Sequence, residues 1–173
     1  MFIKRVFRAI KRRRALYLVN KIYAGTKHFK RKRKLLISIG YEIGEGTKIV
    51  GPIECYAKIK IGKNCWIGKN LIVNGNGELE IGDNCDIAPE VTFLTGGHKI
   101  GNAERRAGEG ESYKIKVGNG VWIGGRSTIL NNTEIGNSCM IAACSCVNKN
   151  VEDNSLVGGV PAKIIRKLDW ESI

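Results

Sequence analysis

Aliphatic side chains recur along this chain every six residues. One run reads Val117, Ile123, Ile129, Ile135, Ile141 and Val147, and an earlier one Ile43, Ile49, Cys55, Ile61, Ile67 and Val73. A glycine follows the aliphatic at Ile43, Ile61, Ile67, Ile81, Ile123 and Ile135. Four positions after the aliphatic comes a small residue, as at Thr47, Cys65, Cys85, Ser127, Thr133, Cys139 and Ser145. An α-helix needs steps of three and four, and an isolated amphipathic strand alternates briefly and stops. A step of six fits neither. It fits a chain that makes a short strand, turns a corner and repeats, three strands to an 18-residue coil, as from Ile43 to Ile61 and from Val117 to Ile135. Stacked coils form parallel ladders about 4.8 Å apart and bury a column of aliphatics that one coil could not bury alone. Gly and Asn at the corners, among them Gly62, Asn64, Gly82, Asn84, Gly118, Asn119, Gly136 and Asn137, accept the backbone angles of tight bends. The small residue fits the crowded inside of the bend.

Two irregularities interrupt the period. A two-residue insertion shifts the frame between Val73 and Ile81, and residues 94–116, rich in Gly and charge, leave the repeat altogether. An excursion of that length exceeds what a structural connection needs and is of the kind that carries function. Ahead of the repeat, Phe2, Ile3, Val6, Phe7 and Ile10, then Tyr17, Leu18 and Ile22, follow helical spacing with Lys and Arg between them. This predicts a basic amphipathic helix. The expected organisation is therefore a basic helical segment over 1–37, a coil domain over 38–168 and a tail over 169–173.

Charge sharpens this division. The chain of 173 residues carries a net +13, yet residues 1–34 hold 14 of the 29 Lys+Arg and none of the 16 Asp+Glu, so the remainder is nearly neutral. Nucleic-acid binding is not expected, because the neutral coils offer no base-reading or aromatic platform. The basic helix suits either an anionic membrane surface or an end cap packed across an assembly of copies, its charges merely solvated. Cys55, Cys65, Cys85, Cys139, Cys144 and Cys146 form no CxxC pair, and His28 and His98 stand at no zinc-ligand spacing from them, so no metal is expected. Three of the six fill the small-residue slot, where packing explains them better than redox chemistry. Free cysteines without a disulfide framework or a signal-peptide pattern point to a cytoplasmic protein, and the longest apolar stretches are far short of a membrane span.

Three strings are more specific than any single hexad: Ile81-Gly-Asp-Asn with Ile87-Ala-Pro and Thr95-Gly-Gly-His98; Val117-Gly-Asn-Gly-Val-Trp122-Ile-Gly-Gly; and Val157-Gly-Gly-Val-Pro161-Ala-Lys163-Ile-Ile-Arg166. In this order, over roughly 43–168, the chain resembles the hexapeptide-repeat acyltransferases, especially the galactoside and maltose O-acetyltransferases and their polysaccharide-modifying relatives. The resemblance implies an all-β fold, a left-handed parallel β-helix with a short C-terminal helix, working as a homotrimer with its sites in clefts between copies. It implies an acetyl-CoA-dependent O-acetyltransferase acting on a saccharide hydroxyl, in capsule or O-antigen biosynthesis, whose acceptors are assembled at the inner leaflet.

By the same resemblance His98 is the catalytic base. An imidazole, with an unperturbed pKa of about 6.5, is matched to taking a proton from a sugar hydroxyl and passing it to the leaving thiolate. Glu109, Glu111, Asp86 or a backbone carbonyl could orient its ring. Trp122 matches a residue lining the acyl-donor cleft, and the amide of Gly125 matches the donor to the thioester oxyanion. Ala143, Lys149, Lys163 and Arg166 match positions along the CoA arm, the basic ones meeting phosphates. Gly68 stands where the sugar enzymes have an acceptor-contacting asparagine, and Asn74 and Asn76 are the nearby substitutes. The N-terminal segment does not resemble the capping segment of those enzymes. The rival readings are an antibiotic (streptogramin-type) or sugar N-acetyltransferase of the same fold and a non-catalytic scaffold. A β-helix carbonic anhydrase needs three histidines, and this chain has two.

Overall fold

The computed structural model describes residues 2–168, which leaves the expected tail at 169–173 outside the described residues. The six-residue period becomes a three-sided prism of about six coils. Face A stacks Glu42–Ile43, Lys58–Ile61, Glu78–Ile81, Lys114–Val117 and Glu134–Ile135. Face B stacks Lys48–Ile49, Trp66–Ile67, Asp86–Ile87, Trp122–Ile123, Met140–Ile141 and Ser155–Gly159. Face C stacks Ile53–Cys55, Leu71–Asn74, Thr92–Leu94, Thr128–Leu130 and Cys146–Val147. Within each face these strands pair in parallel with equivalent residues in register, such as Ile43 with Ile61 and Ile49 with Ile67.

Every aliphatic of both six-residue runs is buried, as are Leu79, Ile81, Ile87, Phe93 and Ile115. Full burial of one such side chain stabilises by about 1.5–3 kcal/mol, so the inward column supplies the main cohesion. The small-residue slots are also buried, and their polar atoms reach carbonyls at the corners: Thr47 Oγ1 to Gly62 O at 2.7 Å, Cys65 Sγ to Gly82 O at 3.1 Å, Cys85 Sγ to Gly118 O at 3.1 Å. Burial raises the thiol pKa of Cys55 and Cys139, which removes thiolate and suits a packing role.

The two irregularities belong together. Ile61 pairs with Ile81, two residues beyond the usual step, and Ile81 pairs with Val117 across the excursion. The excursion is a β-hairpin, Gly96–Ile100 against Ala107–Ser112, leaving the corner between faces C and A. It is shorter than 94–116, because Leu94 still pairs with Leu130 on face C and Lys114–Val117 is a strand of face A with Ile115 fully buried. The inserted residues one coil earlier run under its base: Thr95 N donates to Asn74 O at 2.7 Å and Glu78 N to Tyr113 O at 2.9 Å. At Gly77 a Cβ would strike the carbonyl of Tyr113, and Gly75, at φ +111°, lies against Thr95 and Gly96. Both positions need glycine to let the hairpin exit.

Two ends need closing. The C-terminal helix expected from the resemblance is absent over Ala162–Lys167, which is a strand antiparallel to Ser155–Gly159. The last strand of face B has an open edge, and the returning chain satisfies it with ladder bonds where a helix would leave it bare. At the other end the basic segment forms helix α1 (Phe2–Tyr17), a π-helical turn (Leu18–Ile22) and helix α2 (Phe29–Ile37). Val19 and Leu36 are fully buried in the core that continues up the prism.

Polar side chains of this cap meet the carbonyls that the first coil would otherwise leave unpaired. Arg12 Nη2 donates to Cys55 O at 2.5 Å, and Arg33 donates to Ile43 O and Gly44 O at 2.7–3.0 Å. The Asn20 amide pairs with the Ile53 backbone in both directions, at 2.9 and 3.0 Å, as a neighbouring strand would. Lys32, fully buried, donates to Gly25 O at 2.5 Å and Val50 O at 2.9 Å. Within the chain the segment thus closes the first coil, and three of its cations bond carbonyls in place of the solvation expected of them.

Candidate active site

His98 sits in the middle of the first hairpin strand, opposite Gly110, and is exposed. Its Nδ1 lies 2.9 Å from Gly108 O. A carbonyl can only accept, so Nδ1 carries a proton, and in the neutral ring Nε2 then keeps its lone pair for chemistry. Of the carboxylates that could have oriented the ring, Glu109 bonds Lys99 at 2.7 Å and Glu111 accepts from the Tyr113 hydroxyl at 3.1 Å. Asp86 is on face B, beside Trp122. The orienting group in this chain is the backbone carbonyl.

The hairpin brings two further predicted residues to the same edge. Asn74 continues face C directly below Leu94, its carbonyl accepting from Thr95 Oγ1 at 3.1 Å, and Asn76 follows beside Gly96. Both are exposed. Gly68 is buried at the corner between faces B and C, where a Cβ would collide with the Ala88–Pro89 backbone, so no side chain can stand there. Lys149 also lies on the edge between faces C and A, after Cys146–Val147 and two coils above the hairpin.

The other predicted residues lie on face B and its corner with face C. Trp122 is 52% exposed on the outer side of face B, between Asp86 and Met140. Gly125 and Ala143 occupy successive turns of the corner between faces B and C, and Cys144 N donates to Gly125 O at 2.9 Å. Among the described residues neither the Gly125 nor the Ala143 amide donates to any protein group. Lys163 and Arg166 stand on the final strand, opposite Gly158 and Leu156, and both are exposed. Gly158 in turn packs beside Ala142, which places Lys163 near the upper end of this corner. One chain thus carries a small-residue corner with free amides and cations above it, and, on a different edge, an exposed imidazole with a free nitrogen.

A model of the bacterial transferase hexapeptide, described as six repeats, matches residues 114–149. Galactoside O-acetyltransferase of Escherichia coli is 35% identical over 141 residues, covering 80% of this chain and 70% of that protein. The chain belongs to the hexapeptide-repeat acyltransferases. A putative acetyltransferase of Saccharomyces cerevisiae is 37% identical, over 65% of this chain and 57% of its own length. Among solved structures, a hexapeptide-repeat acetyltransferase of Vibrio cholerae complexed with acetyl-coenzyme A superposes with TM-score 0.78 at 28% identity, over 92% of this chain and 86% of that one. A galactoside acetyltransferase in complex with coenzyme A gives TM-score 0.79 at 28% identity, over 94% and 81%.

In this acyltransferase the sequence left some of the site's surroundings unread. Arg126, at φ +60°, follows Gly125 and pairs with Glu90 of the coil below at 2.7 Å, stapling the corner beside the free amide. Tyr113 packs its ring against Gly97 and bonds Glu111, bracing the hairpin strand that carries His98. Neither stands at a repeat position whose spacing would have singled it out. Among the described residues, no three or more His, Cys, Asp or Glu come together as a metal site.

Proposed function

We propose that this acyltransferase moves the acetyl group of acetyl-CoA to a saccharide hydroxyl, in the cytoplasm, as a homotrimer that builds surface polysaccharide. The observation that carries the reading is the His98 ring, fixed by Gly108 O with Nε2 unpaired on a projecting hairpin. As the acceptor oxygen attacks the thioester carbon, Nε2 takes its proton, the carbonyl oxygen gains charge toward the Gly125 amide, and the C–S bond breaks. The imidazolium returns that proton to the departing sulfur, leaving an acetyl ester and free CoA thiol. Trp122, Ala143, Lys149, Lys163 and Arg166 are assigned to the CoA arm, and Asn74 and Asn76 to the acceptor.

The placement of these groups supports an assembly of copies. His98 leaves the edge between faces C and A, and the Gly125–Ala143 corner joins faces B and C, so a second copy brings the two halves together. The relatives named above as galactoside and coenzyme A proteins support the donor and acceptor classes. Calorimetry with acetyl-CoA, followed by turnover of His98→Ala on saccharide and streptogramin-type acceptors, tests the reading. Acetyl-CoA binding that survives the substitution, with saccharide turnover lowered by roughly 10²–10⁴, is the expected result. Unchanged turnover overturns the role of His98, and transfer confined to the antibiotic overturns the acceptor class.

A further inference from the structure

The cap explains only one side of helix α1. Arg12, Ala15 and Leu16 turn toward the prism, and Ala15 is buried. At 3.6 residues per turn, Ile3, Phe7, Ile10 and Tyr17 fall on roughly the opposite side of the helix. There they are 68%, 68%, 58% and 58% exposed, and every residue from Ile3 to Lys11 is exposed. An apolar stripe therefore faces away from the protein that anchors its helix.

The surroundings of the stripe point to its occupant. Lys4, Lys11 and Arg13 flank it, Arg14 stands within it between Ile10 and Tyr17, and residues 1–34 contain no acidic side chain. Of the 14 cations there, Arg12, Lys32 and Arg33 bond carbonyls of the chain. No ion pair among the described residues involves any residue before Lys58. A second copy supplies no net countercharge, since its own helix repeats the excess and residues 35–173 hold 15 Lys+Arg against 16 Asp+Glu. An apolar stripe inside a belt of unmatched cations is the surface that an anionic lipid bilayer fits, with the side chains entering the acyl boundary and the cations meeting headgroups.

We infer that the outward stripe of α1 docks this protein on an anionic membrane surface, and that the acceptor is a saccharide still attached to a membrane lipid. The second part rests on the proposed acetyl transfer to sugar; the first does not. The placement is consistent with it, because α1 covers the first coil and the His98 hairpin leaves the third, only about 10 Å along the prism at the usual strand spacing.

The test uses the full chain with vesicles of phosphatidylcholine, alone or with one quarter phosphatidylglycerol. The wild type is expected to sediment at least tenfold more with the anionic vesicles, and the pair of substitutions Phe7→Glu and Ile10→Glu to reduce that binding at least tenfold. Oligomeric mass by light scattering, melting temperature and acetyl-CoA affinity are expected to stay as in the wild type. Undiminished vesicle binding by the variant overturns the docking surface, and a variant that falls apart into single chains shows the stripe to be a subunit contact instead. Neither readout involves acetyl transfer, so the enzymatic reading stands or falls apart from it. For the acceptor, the variant is expected to lose at least tenfold in rate on a lipid-linked saccharide in anionic vesicles while keeping its rate on the same sugar free in solution. Equal rates on both overturn the lipid-linked assignment.

Discussion

At the scale of single residues, the proposed chemistry rests on two groups singled out by what they do not bond. His98 has one nitrogen committed to Gly108 O and the other open, and Gly125 has an amide that meets no acceptor among the described residues. The corner itself offers a clean way to remove that amide. Ile87 pairs with Ile123, so Pro89 occupies on the coil below the place that Gly125 occupies here, and a proline evidently fits this bend. Gly125→Pro is expected to lower kcat by roughly 10²–10³, the effect of deleting one oxyanion donor, with a melting temperature close to wild type. Steady-state kinetics beside thermal unfolding checks it; an unaltered kcat removes Gly125 from the mechanism. His98 was singled out from its motif, whereas the carbonyl that its ring meets was not. A backbone carbonyl has no sequence signature, and three acidic residues nearby were equally plausible until the hairpin register put Gly108 within reach.

At the scale of elements, the coils were readable because their period follows directly from geometry, and even the frame shift after Val73 was visible. Its purpose was not: only the pairing of Glu78 with Tyr113 shows that the extra residues pass the chain around the hairpin base. The hairpin was hidden because Ala107–Ser112 is glycine-rich and polar, with none of the alternation that marks a buried strand. The cap was misjudged in part, since composition says that a segment is basic without saying which cations find carbonyls. Asn20 makes two bonds to the Ile53 backbone. Asn20→Ala is expected to destabilise the chain by about 1–3 kcal/mol, because a partly buried donor and acceptor are left without partners. Urea unfolding measures it, and a change within error assigns the cap's stability to apolar packing alone.

Lys32 adds a pH dependence to the same element. Burial lowers its pKa from 10.5 to about 8. Between those values the unfolded chain binds more protons at this residue than the folded chain, so its contribution to stability rises with pH across the window. The stability of the wild type relative to Lys32→Met is therefore expected to increase from pH 8 to 10.5 and to be flat well below it. A relative stability that falls over that range contradicts the burial of a titrating ammonium there.

At the scale of the whole molecule, the outer surfaces of the prism differ in kind. Face A alternates charge from coil to coil, with Lys58 paired to Glu78, Lys114 to Glu78 and Glu80, and Lys116 to Glu134. Such exposed pairs contribute little stability, yet they keep the face solvated. Above Glu54 of the first coil, the outer positions of face C include Ile72, Thr92, Thr128 and Cys146, uncharged and half-buried already in one chain. This asymmetry fits a chain that meets its copies away from face A and brings the hairpin of one to the corner of the next.

Mixing two inactive forms tests that arrangement most directly. His98→Ala lacks the base, and Ala143→Trp fills the donor corner. If each site takes its hairpin from one copy and its corner from another, random reassembly of equal amounts makes about one site in four fully wild type. Unfolding and refolding the two variants together is expected to restore roughly a quarter of wild-type acetyl transfer. Recovery of none, with each variant folded and assembled, contradicts it and places the whole reaction within a single chain.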